Sequence, residues 1–511
     1  MQLGFVINHS RCIGCHACTV ACKSENDVPL GSFRTWVKYT ETGEFPAVRR
    51  HFAVLRCNQC TDAPCVTICP TRALEKRPDG IVDVSRDYCI GCKSCMQGCP
   101  YDALYIHPDR GTAEKCHFCA HRTERGLAPA CAIVCPTEAI VPGDFDDPES
   151  RVSRLRDAGG LAGRKLEAGT GPNVLYREVD PTGISPLQTN GAGGYLWATR
   201  PPGPQAEAEL FQALEARAGG GDGSAMPGRT TYDIPKQPMW GSRVSGYLLT
   251  KSISAGVILA GLPLFGSSSR AADLAVPALG LLFLLVTTAL LIADLKRPER
   301  FLLILRRPNW SSWLVKGTVA LAGYGALLTA WLGLDLAGVE SGGIARGPLG
   351  WLTAAAAAAA AGYTAFLFGQ AKGRVLWMQR GLALQLVLQA LVAGGGLLIL
   401  LAPLAGVTAE ELGGTRILLG VGLAGQLAFS LAGGALAPRG REAEYRRARR
   451  LLTHGPHRGR HLGVAAAMGA TLLLLLVPST PVLAVAGAVA LVALAIEEDL
   501  LVRAGQALPI S

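Results

Sequence analysis

The sequence predicts a chain of two parts, a cysteine-rich α+β module followed by an all-α polytopic membrane domain of about eight transmembrane helices. The first observation is that all 16 cysteines lie between Cys12 and Cys135, in a chain of 511 residues. The second is a series of apolar segments after Arg243, each near the roughly 20 residues that span a hydrocarbon core. The third is an apolar fraction of 49%, which is high for a soluble protein.

We divide the chain into three regions. Residues 1–178 are polar and cysteine-rich, with short β-like runs such as 52–55, and we expect a loop-rich fold there. Residues 179–242 are rich in Gly, Pro and Ala, a composition typical of a linker or extended arm, with one short predicted helix at 205–218. Residues 243–511 form the predicted membrane domain.

The net charge of +10 belongs to the membrane half. Before Arg243 the chain has 26 Lys and Arg against 27 Asp and Glu, and from Arg243 onward it has 23 against 12. A positive excess confined to the membrane half needs no nucleic-acid partner, and we predict none.

The apolar segments predict eight membrane spans. They are residues 244–265, 274–295, 313–334, 348–369, 382–404, 416–437, 461–477 and 481–501. The seventh is short, and a proline-containing turn separates it from the eighth. An alternative with seven spans merges or loses one segment and places the two ends of the domain on opposite sides of the membrane.

Loop charges predict the orientation. The loops on the side of the cysteine module carry Lys296, Arg297, Arg300, Arg306, Arg307, Lys372, Arg374, Arg380 and eight arginines between Arg439 and Arg460. The opposite loops carry only Arg270, Arg346 and Arg416. Basic loops stay in the cytoplasm, so we expect a multi-pass protein of the inner membrane with its cysteine module on the cytoplasmic side. Residues 1–8 lack the features of an export signal, which agrees with this expectation.

The cysteines form four groups of four. They are Cys12, Cys15, Cys18 and Cys22; Cys57, Cys60, Cys65 and Cys69; Cys89, Cys92, Cys95 and Cys99; and Cys116, Cys119, Cys131 and Cys135. The first and third groups have C-x2-C-x2-C-x3-C spacing, in which three thiolates bind one iron–sulfur cubane and the fourth reaches a neighbouring cluster. A zinc site needs only four ligands and no cysteine that reaches a neighbouring site. The spacing also argues against a disulfide framework. The string Cys12 to His16 spells a c-type haem attachment site, but Cys18 and Cys22 immediately downstream favour an iron–sulfur cluster.

Residues 8 to about 145 resemble the four-cluster ferredoxin subunits of membrane-bound molybdopterin oxidoreductases, such as dimethyl sulfoxide and polysulfide reductases. The resemblance rests on Cys57-Asn58-Gln59-Cys60, Ala63-Pro64-Cys65, Cys89-Ile90-Gly91-Cys92 and Cys99-Pro100-Tyr101. It implies a ferredoxin-like α+β fold, four [4Fe-4S] clusters and a large molybdopterin-type catalytic subunit as partner.

The resemblance also implies how the cysteines are shared, with the first group paired with the fourth and the second with the third. The first set is then Cys12, Cys15, Cys18 and Cys135, and the second is Cys22, Cys116, Cys119 and Cys131. The third set is Cys57, Cys60, Cys65 and Cys99, and the fourth is Cys69, Cys89, Cys92 and Cys95.

Most of residues 240–511 resembles the NrfD family of polysulfide reductase membrane subunits. The resemblance rests on three stretches, 247–252, 294–301 and 503–506. It implies eight helices, no haem and a quinone site near the cluster module. The sequence supports the absence of haem independently, because no histidine lies deep in a predicted span where a haem b needs its axial ligands.

Ionisable residues in the spans are the candidate quinone-site residues. Lys251 lies about two turns into the first span and Lys316 about one turn into the third, and Asp294 at the end of the second is predicted to pair with either and to relay a proton. Tyr247 is a candidate hydrogen-bond donor to a quinone carbonyl. The alternatives are lysines that extend to the interface, Asp294 as a loop cap and Tyr247 as an interfacial tyrosine. A separate set, Glu497, Glu498 and Asp499, is interpreted as interfacial.

Three glycines of the sixth span, Gly420, Gly422 and Gly425, match a dinucleotide-binding G-x-G-x-x-G string. No predicted strand precedes them, which the dinucleotide fold requires. We therefore interpret them as helix-packing residues.

The function that follows is electron relay between a separate catalytic subunit and membrane quinone through four [4Fe-4S] clusters. The protein is then a component of an oxidoreductase complex and its membrane anchor, not the substrate-converting subunit. Two alternatives stay open: a quinone-reactive anchor for a hydrogenase or another respiratory complex, and a stand-alone ferredoxin:quinone reductase.

Overall fold

The computed structural model describes residues 1–191, 228–237, 239–264, 270–339 and 341–510. A module of small sheets and short helices comes first, and a helical bundle follows it. The helix predicted at 205–218 lies outside the described residues. The boundaries at 178 and 242 stay predictions, although strands at Thr189–Gly191 and Gly228–Tyr232 join a sheet of the first module.

Within the residues that the structure describes, the module contains four small sheets. Its strands are β1 Leu3–Asn8, β2 Thr35–Thr42, β3 Arg49–Arg56, β4 Leu74–Lys76, β5 Val82–Val84, β6 Leu104–Ile106, β7 Ala113–Lys115, β8 Ile140–Asp144, β9 Leu161–Gly163, β10 Val174–Arg177, β11 Thr189–Gly191 and β12 Gly228–Tyr232. The first sheet has the order β8-β1-β10-β9 and the second β11-β12-β2-β3, while β4-β5 and β6-β7 are two-stranded. In the first sheet β1 is parallel to β10 and antiparallel to β8.

Short helices connect these strands. They are α1 Ala17–Glu25, α2 Pro64–Ile68, α3 Ser94–Gly98, α4 Ala120–Thr123, α5 Ala130–Ile133, α6 Arg151–Asp157 and α7 Pro181–Ile184, with 3-10 turns at Leu166–Ala168 and Pro186–Gln188. Four of them carry cysteines, since Cys18 and Cys22 lie on α1, Cys65 on α2, Cys95 on α3 and Cys131 on α5. The cysteine groups are therefore held where loops turn into short helices.

The helices of the second part follow the predicted spans. They are α8 Ser242–Gly261, α9 Arg270–Asp294, α10 Leu303–Arg306, α11 Trp313–Leu336, α12 Ser341–Arg346, α13 Pro348–Gln370, α14 Leu382–Ala405, α15 Gly413–Ala432, α16 Glu442–Thr453, α17 Arg458–Leu474 and α18 Thr480–Ala507. The 3-10 turns are Leu262–Leu264, Pro298–Arg300, Val375–Met378 and Gly433–Leu436. Among the described residues, α8, α9, α11, α13, α14, α15 and α18 are each long and apolar enough to cross a membrane.

The remaining predicted span is α17, whose 17 residues are fewer than the 20 of α15 and the 28 of α18. It lies antiparallel to α15, because Arg416 near the start of α15 donates to the carbonyl of Leu475, just beyond the end of α17. At the other end Ser430 of α15 contacts His461 of α17 at 3.3 Å. Between these two contacts α17 and α15 run side by side over the same length, because each residue of either helix adds about 1.5 Å.

A contact between the first and last helices of the membrane domain bears on the number of spans. The backbone N–H of Trp240, just before α8, donates to the side chain of Gln506 at the end of α18, at 2.9 Å. The first and last spans thus begin and end on the same side, which requires an even number of crossings. Seven of the described helices have the length and hydropathy of a span, and α17 as an eighth crossing would make the number even, so eight spans stay our prediction.

Small residues bring the central helices close together. Cβ atoms added to Gly256 of α8 or Gly394 of α14 would lie 1.8 Å from backbone atoms of the other helix. Close helix contacts of this kind are typical of membrane bundles. Gly422 and Gly425 of α15 likewise face Leu388 of α14, so their interpretation as helix-packing residues is confirmed.

Candidate metal centres and a buried polar site

Two of the four cysteine sets surround cavities. One cavity is lined by Cys12, Cys15, Cys18 and Cys135 of the first set, and another by Cys69, Cys89, Cys92 and Cys95 of the fourth set. Within the described residues, no three His, Cys, Asp or Glu side chains converge as ligands of one metal ion do. Thiols around a cavity suit a polynuclear cluster, in which each thiolate binds a different iron.

The other two sets are also brought together. In the second set the side-chain amide of Asn26 lies 3.8 Å from the sulfur of Cys22 and 3.9 Å from that of Cys119. The thiols of Cys116 and Cys131 lie near Cys22 as well. In the third set the thiols of Cys57, Cys60 and Cys99 lie near that of Cys65. All sixteen cysteines are free thiols in the structure.

The local backbone orients N–H groups toward sulfur. The N–H of Ala113 donates to Cys89 Sγ at 3.3 Å, and the N–H of Ala139 donates to Cys135 Sγ at 3.3 Å. Residues in the left-handed region, including His16 and Lys93, turn the backbone just before α1 and α3. Hydrogen bonds to the sulfurs stabilise their negative charge when they bind iron.

Burial makes these thiols poor anions without metal. It raises the pKa of Cys18 to about 11 and that of Cys119 to about 11, because a thiolate is disfavoured where water is excluded. Metal ligation requires the thiolate, and bound iron compensates its charge. The donor type, the free thiols and the cavities therefore fit iron–sulfur clusters.

The fourth set lies directly against the membrane bundle. The indole N–H of Trp240 donates to the carbonyl of Cys92 at 3.1 Å, and the side-chain amide of Asn309 donates to the carbonyl of Cys69 at 2.8 Å. The N–H of Lys296 donates to the carbonyl of Gly91 at 3.3 Å. Gly91 has φ +67°, and a Cβ there would lie 2.6 Å from Cβ of Lys296. Only glycine fits this conformation and contact without strain.

Asp294 has a different partner from the one predicted. Its carboxylate lies 3.0 Å from the ammonium of Lys93, which is adjacent to Cys92. Lys251 and Lys316 were the predicted partners, so that pairing was wrong. The reason is position, because Asp294 is the last residue of α9 and faces the cysteine module docked there. Asp294 therefore joins the two parts of the protein.

Lys251 lies in a buried polar site inside the bundle. Its side chain is 1% exposed, and its ammonium donates to Thr364 Oγ1 at 2.7 Å and to the carbonyl of Ala361 at 2.9 Å. Tyr247, one helical turn away, is 4% exposed and lies close to Thr364. These two predicted residues thus meet at one threonine of α13, and neither lies at the lipid interface.

Glu498 completes this site, and the sequence interpretation missed it. The residue is fully buried, so its interpretation as interfacial was wrong. Its carboxylate accepts a hydrogen bond at 2.8 Å from Ser252 of α8, the residue next to Lys251 in the sequence. The signal in the sequence was a carboxylate at a helical position that faces α8, but only the packing of α18 identifies which of three consecutive acidic residues does so.

Lys316 lies outside this site. Its side chain is exposed, and its ammonium lies over the ring of Trp313 at 4.7 Å. This arrangement agrees with the alternative of a lysine that extends to the interface.

An aromatic stack separates the fourth cysteine set from the buried polar site. Trp240 stacks on Trp377 with ring centroids 5.5 Å apart, and Trp377 stacks on Phe368 at 4.5 Å. Tyr247 belongs to the same apolar cluster. The stack therefore runs from Trp240, which donates to the carbonyl of Cys92, to the apolar cluster that contains Tyr247.

The fold and the four cysteine sets define an iron–sulfur protein with a multi-pass membrane domain. Residues 48–145 match a 4Fe-4S dicluster domain, and residues 233–509 match the family of polysulphide reductase, NrfD. The second match covers more than half of the sequence, and this protein belongs to the NrfD family.

Curated relatives match the first third of the sequence. It is similar to the B subunit of tetrathionate reductase of Salmonella typhimurium, with 44% identity over 192 residues that cover 36% of this protein and 76% of the relative. The arsenate respiratory reductase iron-sulfur subunit ArrB of Shewanella sp. is 38% identical over 224 residues, which cover 34% of this protein and 96% of the relative. The B subunit of polysulfide reductase of Wolinella succinogenes is 39% identical over 177 residues, which cover 34% of this protein and 93% of the relative. These proteins are subunits of reductases, which implies a catalytic partner for this one.

Proposed function

We propose that this protein relays electrons between a catalytic subunit of the molybdopterin type and quinone in the membrane, through four [4Fe-4S] clusters. The observation that carries the proposal is the contact of the fourth cysteine set with the bundle, through the Trp240 and Asn309 hydrogen bonds, beside the buried site of Lys251. In this proposal the fourth cluster carries the electrons and the site of Lys251 exchanges the protons, and two-electron, two-proton quinone chemistry requires both.

The clusters, held by the four cysteine sets, supply one-electron transfer when bound. The protein residues do the remaining work. Lys251 exchanges a proton with the quinone oxygen, and Tyr247 hydrogen-bonds the quinone carbonyl. Asp294 holds the cysteine module on the bundle through Lys93.

The catalytic partner docks near the first cysteine set in this proposal. Ile13, which lines that cavity, is 58% exposed, and Cys15 is exposed as well. Two further apolar residues are exposed, Val20 on α1 and Ile133 on α5. Helix α1 carries Cys18 of the first set, and α5 carries Cys131 of the second. A partner that covers such residues shields them from water.

The proposal includes no haem. The histidines of the bundle, His454, His457 and His461, lie beside α16 and the start of α17, at the end that carries the basic loop. His461 contacts Ser430 there. Haem b needs axial ligands deeper in a bundle.

The first test is the iron content. We expect the anaerobically purified protein to contain roughly sixteen iron atoms per chain, because four complete cysteine sets bind four cubanes. Electron paramagnetic resonance of the reduced protein should show interacting [4Fe-4S] signals. Roughly four iron atoms per chain, or zinc in stoichiometric amounts, would contradict the proposal.

The second test is orientation. We expect the cysteine module, the loop from Arg439 to Arg460 and the end of α18 to lie in the cytoplasm, because the basic loops are on that side. A green fluorescent protein fused after Ser511 should fluoresce, and alkaline phosphatase fused there should be inactive. An active phosphatase at this position would reverse the assignment.

A further inference from the structure

Arg56 is a buried cation without a carboxylate partner. It ends β3, its side chain is 0% exposed, and its guanidinium lies 4.4 Å from the ring centroid of Phe5. One of its N–H groups donates to Cys131 Sγ at 3.2 Å, whereas Nε and Nη2 have no hydrogen-bond partner. Among the described residues no carboxylate forms an ion pair with it. A charge in this position requires a negative partner, since an unpaired buried ion is strongly destabilising.

The groups around Arg56 identify that partner. The thiols that surround its guanidinium are those of Cys131, Cys116 and Cys18. In the assignment above, Cys18 belongs to the first set, and the other two belong to the second. Arg56 therefore lies between two cluster positions, and its unpartnered N–H donors are available to cluster or cysteine sulfur.

Lys115 has the corresponding position between the second and third sets. Its side chain is 1% exposed, and its ammonium donates to the carbonyls of Val82 and of Cys116, the latter at 2.7 Å. The thiols around its ammonium are those of Cys57, Cys65 and Cys116. Asp83 is the carboxylate on the same side, beyond ion-pair distance.

We propose that Arg56 and Lys115 are fixed counter-charges that raise the reduction potentials of the clusters beside them, Arg56 for the first and second clusters and Lys115 for the second and third. Reduction adds one electron to a cluster, supplied by quinol or by the partner subunit, and no bond is made or broken. A nearby cation favours the reduced form, and its effect is large where water is excluded. This inference rests on the proposed four-cluster function.

The test is a redox titration followed by electron paramagnetic resonance, on the full-length protein in isolated membranes. Arg56→Met should lower the reduction equilibrium constants of two of the four clusters about tenfold or more, which is about 59 mV for one electron. The other two should be unchanged. Arg56→Lys, which keeps the charge, should retain potentials near those of the unmodified protein. Unchanged potentials in Arg56→Met, or equal shifts in both variants, would overturn the inference.

Lys115→Met is the second variant. It should lower the potentials of two clusters, one of them a cluster that Arg56→Met also affects. Two affected pairs with no cluster in common, or shifts of all four clusters together, would contradict the assigned positions.

Iron content separates this inference from the proposed function. If unmodified protein lacks four clusters, the proposed function fails; if it has them and the potentials do not respond, only the inference fails. If Arg56→Met loses iron, the iron content of Arg56→Lys distinguishes a counter-charge from a packing role. Retention of iron in the lysine variant supports a counter-charge, whereas loss in both variants would show a packing role and overturn the inference.

Discussion

Replacing Lys251 by leucine should reduce quinone-linked turnover by roughly 10² to 10⁴, the usual contribution of general acid–base help. The cluster content should be unchanged, because Lys251 lies inside the bundle and contacts Thr364 and Ala361 of α13, away from the cysteine module. Leucine has similar bulk and no proton to exchange. Quinone reduction therefore loses its proton donor while electron transfer within the module continues.

The measurement compares two electron donors in membranes of matched iron content. One is a quinol analogue, and the other is a reduced dye that donates directly to the clusters. Lys316→Leu is the control, since Lys316 is also a lysine on the cluster side of a span but its side chain is exposed. Equal losses with both donors, or full activity with quinol, would remove Lys251 from the proposed mechanism.

The overall architecture was predictable because its signals are local. The span predicted at 348–369 is observed as Pro348–Gln370, and the one predicted at 382–404 as Leu382–Ala405. Apolar runs that end in glycine, proline or basic residues define such helices without knowledge of their neighbours. Cysteine spacing is equally local, so the four groups were recognisable from the sequence.

Side-chain partners were less predictable because they depend on how the helices and the module pack. Asp294 was expected to reach a lysine of the bundle, yet the docked module brings Lys93 closer, 201 residues away in the sequence. Glu498 was interpreted as interfacial because it lies, with Glu497 and Asp499, at the end of the last predicted span. Its burial against Ser252 depends on the rotation of α18 relative to α8, which hydropathy does not report.

Replacing Cys95 by alanine should disconnect the membrane domain from the rest of the relay. Cys95 lines the cavity of the fourth set, together with Cys69, Cys89 and Cys92, and the bundle packs on this set. Alanine cannot bind iron, so the protein should lose roughly four iron atoms per chain. Electron transfer from a quinol analogue to an oxidised dye should then fall to background.

Cys15→Ala is the matched control because it removes a thiol from the cavity of the first set. This variant should lose a similar amount of iron but should keep quinol:dye activity, since the fourth set still contacts the bundle. Turnover of the catalytic partner with quinol should fall in both variants. With reduced dye as donor, partner turnover should persist in Cys95→Ala. If Cys15→Ala loses quinol:dye activity as fully as Cys95→Ala, the fourth set is not the one through which quinone exchanges electrons, and the proposed order of the sets is wrong.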